Sequence, residues 1–129
     1  MATLTDEQAR LLKGRNFASV GTVGPDGVPQ VTPNWVDWDG EHVLLNFAET
    51  RVKVRNIRQR PVIAVCVVNH DNPYQYVSVT GPAEISDDGA VEHMDELYHR
   101  YFGRGYTRRD ERRLIVRVRP QRVFARGFD

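Results

Sequence analysis

The spacing of apolar and polar residues along the chain predicts several strands interrupted by three helices. Apolar or alternating stretches of strand length begin near residues 17, 29, 43, 62, 74 and 114, and turn residues bound them. Helical spacing occurs in "LTDEQARLLKG", with Thr5 as the expected cap and Gly14 as the stop. It recurs in "DDGAVEHMDELYHRYFG", which Gly103 closes.

Turn residues join the predicted strands closely. "GPDGVP" at 24–29 and the Asp39-Gly40 pair each predict a hairpin. "PVIAVCVV" is continuously apolar, which predicts a strand buried on both faces, and the next strand is expected to break or bulge near Gly81-Pro82. The last apolar segments give one strand or two short ones. Tight connections favour an antiparallel sheet that could close into a barrel, so the predicted fold is mainly β with flanking helices.

Length and composition limit the class of protein. The 129 residues suit one domain, expected to span 1–129, and no apolar run approaches the roughly 18 residues that cross a bilayer. The first residues lack an apolar signal core, and Cys66 has no cysteine to pair with, so a cytoplasmic location is expected. A net charge of only +1 argues against a nucleic-acid binder.

One segment departs from this balance. "ETRVKVRNIRQRP" places five cations within residues 51–60. Thr50 is the expected cap of a short helix there, and Pro61 must end it. A helix N-terminus is already positive, so Arg51 and Lys53 in its first turn are unfavourable by a few tenths of a kcal/mol unless an anion binds. On charge alone a solvated basic surface remains the alternative.

Other candidate chemistry is weak. His42, His70, His93 and His99 lack the spacing of a metal site, and no nucleophile or nucleotide-binding motif occurs. His93 and His99 are expected to be surface or interface residues, and Cys66 an inert packed thiol. Pro33, in "TPNW", sits inside a predicted strand and therefore requires an edge, a bulge, or a flat ligand where strand pairing is interrupted.

Five motifs in order resemble one known family. They are "GVPQVTPNW" at 27–35, "DGEHVLLN" at 39–46, "RVKVRNIRQRP" at 51–61, "DNPYQYVSVTG" at 71–81 and "VRVRPQRV" at 116–123. Together they resemble the pyridoxamine-phosphate-oxidase-like flavin and deazaflavin oxidoreductases, and especially the branch that uses coenzyme F-420, an 8-hydroxy-5-deazaflavin. The resemblance implies a split antiparallel β-barrel of the FMN-binding type.

The resemblance also implies a homodimer with coenzyme sites at the subunit interface. Arg51 and Lys53 would hold the coenzyme phosphate, with Asn56 supporting that turn, and Thr50 is also expected among the residues that bind the coenzyme. Tyr74 would reach in from the other subunit. The ring would be lined by Thr32, Pro33, Asn34, Trp35 and Asn46.

The resemblance leaves three functions open. The leading one is an F-420-dependent reductase that passes hydride to a flat conjugated acceptor such as a quinone, a tetrapyrrole or another heterocycle. An FMN-dependent oxidoreductase and a non-catalytic F-420 carrier are the alternatives. Because the coenzyme carries the hydride, no catalytic side chain and no metal are required. The polar loop "GRGYTRRDERR" at 103–113 has no assigned role.

Overall fold

The computed structural model describes residues 2–108 and 110–128. Its three helices and eight strands follow one another in the predicted order, except that the second predicted strand is divided in two at Val36. The elements are α1 (Asp6–Lys13), β1 (Phe17–Val23), β2 (Pro29–Trp35), β3 (Asp37–Trp38), β4 (Val43–Ala48), α2 (Val52–Gln59), β5 (Val62–Asn69), β6 (Asn72–Ser86), α3 (Ala90–Phe102), β7 (Arg113–Val118) and β8 (Arg122–Arg126).

The eight strands form one antiparallel sheet in the order β2-β1-β5-β6-β7-β4-β3, with β8 paired to β6. The sheet curls around a core but does not close, because β2 and β3 remain its two ends. The prediction of a mainly β, antiparallel, split barrel is therefore confirmed. Pro33 lies in an edge strand, and the pairing of β2 with β1 continues in register through it.

Strand β6 joins two halves of the sheet. Its first part pairs with β8 through residues 76–80, and its last part pairs with β7 through residues 83–86. The predicted bulge at Gly81-Pro82 is wrong, because pairing with β5 continues in register there and shifts instead at Val68/Asn69. Gly81 serves another purpose: a Cβ at this position would lie 1.9 Å from the carbonyl oxygen of Arg119. Only glycine permits this close approach.

The helices begin and end largely where predicted. Thr5 caps α1 through a capping box with Gln8, and Gly103 ends α3 with a left-handed φ of 74°. The prediction that Thr50 caps α2 is wrong, because Arg51 occupies the cap position and its side chain makes no capping bond. None of these three helices in the described residues is both long and apolar enough to cross a bilayer.

One face of β5 is exposed, which contradicts the prediction that this strand is buried on both faces. Ile63, Val65 and Val67 point into the core, whereas Val62 and Ala64 are exposed. The register aligns residues of five strands across this outer face, and we call it the open face of the sheet. One such row contains Pro33, Ser19, Cys66, Ser78 and Phe124.

The open face is mostly small or apolar. Phe17, Val31 and Phe124 are each more than half exposed on it. Cys66 is half-buried near its centre, where burial raises the pKa of the thiol. It is therefore not the fully packed thiol that the sequence suggested, although its thiolate is disfavoured.

Candidate functional site

A cavity of about 950 Å³ lies between β2, β4, the start of α2, α3 and the loop before β7. Eight of the ten residues predicted to bind a coenzyme line it: Thr32, Pro33, Asn34, Trp35, Asn46, Thr50, Arg51 and Lys53. The fold thus brings the "TPNW" strand and the first turn of the charged helix to one place.

Lys53 is the most constrained cation of this cavity. Its side chain is only 8% exposed, and Nζ donates to Thr32 Oγ1 at 2.8 Å and to Asn34 Oδ1 at 2.5 Å. The ammonium also lies 4.7 Å from the centre of the Phe47 ring. Desolvation by burial, together with the charge of Arg51, lowers the pKa of Lys53 to about 8. These two hydrogen bonds use two of the three N–H donors of the ammonium, so one donor is left for a ligand.

The start of α2 is arranged for an anion. Arg51 is exposed at the cap position, and the first helical turn contains no acidic residue. First-turn amides have no partner within a helix, so Val52 and Lys53 offer backbone N–H groups beside two cationic side chains. Thr50 lines the same part of the cavity. These features suit a phosphate better than they suit a neutral ligand.

Two predicted residues lie outside the cavity. Asn56 is buried and donates to Thr22 Oγ1 at 3.1 Å, which ties α2 to β1. It can support the turn, as expected, but it does not line the cavity. Tyr74, at the beginning of β6, is 85% exposed and is not among the residues that line the cavity of its own chain.

An aromatic cluster forms the wall near Trp35. The Trp35 ring stacks on Tyr101 with centroids 4.7 Å apart and an interplanar angle of 5°, while Tyr98 and Phe102 meet it edge-on. Trp35, Tyr98 and Phe102 line the cavity. The helical spacing of residues 98, 101 and 102 predicted their helix, but not that they would pack around Trp35.

A buried polar network runs from the core to the cavity, and sequence reasoning missed it. His93 is 6% exposed, which contradicts the prediction that it lies at the surface or an interface. Its Nε2 lies 3.0 Å from Asp37 Oδ2, and its Nδ1 lies 3.2 Å from Asn46 Nδ2. The sequence does contain an indication that His93 is buried. It follows Ala90 by three residues and precedes Leu97 by four, a helical spacing that places it on the inward face of α3.

Asp37 anchors the inner end of this network. Burial would raise its pKa, but hydrogen bonds from His93 and Arg100 outweigh that effect and hold the pKa of Asp37 well below its usual range. Arg100 Nη2 lies 2.6 Å from Asp37 Oδ1. The carboxylate is therefore ionised and paired.

Arg113 forms the outer end. Its Nε donates to Asn46 Oδ1 at 2.9 Å, and Nη1 donates to Glu111 Oε1 at 2.8 Å. Arg113 and Glu111 both line the cavity, together with Tyr106 and Arg108 of the loop that had no assigned role. Four cations and one carboxylate thus surround this cavity among the described residues, so its field favours anions.

The described residues contain no group of three or more His, Cys, Asp or Glu side chains placed to hold a metal ion. A second cavity, of about 870 Å³, lies beside α1 and shares Phe17, Trp35 and Phe102 with the first. Its wall includes the loop at residues 69–71.

Comparisons with known proteins agree with this fold. A solved structure of an F-420 reductase is 34% identical to this chain, with 94% of this chain and 98% of the other covered and a TM-score of 0.83. A conserved hypothetical protein from Mycobacterium tuberculosis is 25% identical, with 98% and 86% covered and a TM-score of 0.78. A putative pyridoxamine 5'-phosphate oxidase from Listeria innocua shares the fold, at 16% identity, 93% and 95% coverage and a TM-score of 0.73.

The pyridoxamine 5'-phosphate oxidase family model matches residues 4–127, which is nearly the whole chain. The strand order, the edge position of "TPNW" and the cationic start of α2 all lie within that match. The protein therefore belongs to the pyridoxamine 5'-phosphate oxidase family and has its split-barrel fold.

Proposed function

We propose that this protein is a coenzyme F-420-dependent oxidoreductase that transfers hydride between the deazaflavin and a flat conjugated organic acceptor. The observation that carries the proposal is the buried Lys53, which joins the cationic start of α2 to the "TPNW" strand within one cavity. When bound, the coenzyme itself supplies the hydride chemistry. The chain's residues bind it, orient it and exclude water.

The donor set fits a coenzyme with several negative charges. Arg51, Lys53 and the first-turn amides would hold the phosphate, and Thr32 to Trp35 with Asn46 would line the ring. Arg55 and Arg58 are exposed on the same helix, and although Arg58 pairs with Glu49 at 3.5 Å, they add positive field for the glutamate carboxylates of the F-420 tail. The charge of FMN ends at one phosphate, so these outer cations favour F-420. Similarity to an F-420 reductase supports the same choice.

Titration of the purified protein with F-420 and with FMN tests the coenzyme. We expect micromolar or tighter binding of F-420, weaker binding of FMN, and a loss of affinity of at least about tenfold in Lys53→Ala. Arg119→Ala removes an exposed cation between β7 and β8 and is the matched control. Equal or tighter FMN binding would instead identify an FMN-dependent oxidoreductase.

Turnover distinguishes the enzyme from a non-catalytic F-420 carrier. Stopped-flow oxidation of the bound, reduced coenzyme is followed against a panel of quinones, tetrapyrroles and other conjugated heterocycles. We expect at least one acceptor class to accelerate oxidation above the rate in buffer. If none does, the protein is a carrier.

We also propose that two copies associate through the open face. A strand with the continuous apolar character of β5 is expected to be covered on both faces, yet one chain covers only one. The exposed Phe17, Val31 and Phe124 would be buried by a partner, and Tyr74 would reach towards the partner's cavity. Phe124→Glu should yield monomers in sedimentation velocity, whereas Val28→Glu, at an exposed turn, should leave dimers. Monomeric wild-type protein would refute the assembly.

A further inference from the structure

We propose that His93 is a positioning residue for the cavity: as a neutral ring protonated at Nε2, it orients the Asn46 amide, which in turn fixes Arg113 at the cavity wall. The inference rests on the proposed function, because it gives Arg113 the task of donating to a carbonyl or carboxylate oxygen of the bound coenzyme or acceptor.

Two partners other than the histidine show which way the Asn46 amide points. Its Nδ2 donates to the carbonyl oxygen of Ala90 at 2.8 Å, and its Oδ1 accepts from Arg113 Nε at 2.9 Å. If the amide were turned by half a rotation, its oxygen would face the carbonyl oxygen of Ala90 and its NH₂ group would face the N–H of Arg113. Neither pair can form a hydrogen bond. Nδ2 therefore has to face His93.

The tautomer of His93 follows from that orientation. Because Asn46 Nδ2 is a donor, His93 Nδ1 must accept, at 3.2 Å, and it carries no proton. The proton of the neutral ring then lies on Nε2, which donates to Asp37 Oδ2 at 3.0 Å. The negative charge of Asp37 is already balanced by Arg100, which pairs with the other carboxylate oxygen, so a charged histidine is not required.

The network ends at Arg113, which lines the cavity. The Arg113 side chain is only 10% exposed, and the guanidinium donates to Asn46 Oδ1, to the Asn46 carbonyl oxygen at 3.3 Å and to Glu111. These bonds to described residues use three of its five N–H groups. Two donors remain on a side chain held at the cavity wall, so an oxygen acceptor of the ligand can bind with little loss of side-chain freedom.

Nuclear magnetic resonance of the protein without ligand tests the network directly. In protein labelled with ¹⁵N-histidine, we expect the His93 ring to show an unprotonated Nδ1 and a protonated Nε2 near neutral pH, and Arg113 Nε–H to exchange slowly with water. A protonated Nδ1 would overturn the inference.

Two substitutions of His93 separate its contacts. His93→Asn keeps an oxygen near the Nδ1 position and can still accept from Asn46, whereas His93→Gln places its amide near Nε2 and loses that acceptor. We expect F-420 affinity within about twofold of wild type for His93→Asn, a loss of about tenfold for His93→Gln, and fast exchange of Arg113 Nε–H only in His93→Gln. Equal losses in the two variants would contradict the role assigned to Nδ1.

A double-mutant cycle distinguishes positioning from simple support of the fold. If His93 acts through Arg113, His93→Gln should weaken F-420 binding no further in an Arg113→Met background. Additive losses would overturn the inference, and thermal melting confirms that each variant is folded. If wild-type protein binds neither F-420 nor FMN, the proposed function fails, while the tautomer and the Arg113 exchange rate still decide whether the network exists.

Discussion

Lys53 should make the protein without ligand less stable at neutral pH than at alkaline pH. Folding lowers the pKa of Lys53 from 10.5 to about 8. Each pKa unit corresponds to about 1.4 kcal/mol, so at neutral pH the charged ammonium lowers the free energy of unfolding by about 3 kcal/mol relative to an uncharged amine at the same position. Between these two pKa values the unfolded chain binds more protons than the folded one. The free energy of unfolding therefore rises as pH increases through this window.

The assay compares wild type with Lys53→Met, which removes the titrating group at similar volume. Urea unfolding of both proteins is measured at about pH 7 and about pH 10, and the difference in unfolding free energy should shift in favour of wild type by about 2 kcal/mol. Other titrating groups cancel in this difference. A difference that stays constant within about 0.5 kcal/mol between the two pH values would refute the assigned cost of the buried ammonium.

Three further predictions concern the same site. Affinity for F-420 should fall by up to about tenfold per pH unit above about pH 8, because only protonated Lys53 binds the phosphate, and Lys53→Arg should remove this dependence, as measured by fluorescence titration. Asp37→Asn should lower the unfolding free energy in urea by about 3 kcal/mol, because it leaves a partly buried arginine without its carboxylate, whereas Asp39→Asn at an exposed turn should cost less than about 1 kcal/mol. Trp35→Phe should abolish the change in tryptophan fluorescence on coenzyme binding, whereas Trp38→Phe should preserve it because Trp38 is buried away from the cavity.

Local chemistry made the elements predictable. Turn residues located the hairpins, Thr5 and Gly103 bounded their helices, and Pro61 ended α2, because each effect depends on neighbours within a few residues. The cationic start of α2 was also predictable, since cations in a helix's first turn conflict with its dipole wherever the helix lies, whereas the anion that would bind there stays a prediction. The predicted N-cap of α2 was wrong by one residue, because local sequence does not determine a helix boundary to within one position, and Thr50 and Arg51 are adjacent.

The buried network was not predictable from such patterns. Asp37, Asn46, His93 and Arg113 come from four different elements, and only the tertiary fold sets their distances. Continuous apolar character likewise indicates that β5 is covered, but not by what. The expectation that β5 is buried on both faces is wrong for the single chain and stays a prediction for a dimer.

The shared strand β6 has a consequence for how the protein unfolds. One wall of the cavity stands on β2, in the half that pairs with β1, while the opposite wall stands on β4 and β7. Among the strands of the described residues, only β6 carries hydrogen-bonded partners of both halves, and Gly81 lies where those partners change. Separation of the halves would pull the two walls apart. A ligand that contacts only these two walls of the cavity should therefore slow amide hydrogen exchange throughout both halves of the sheet, including strands that it never contacts.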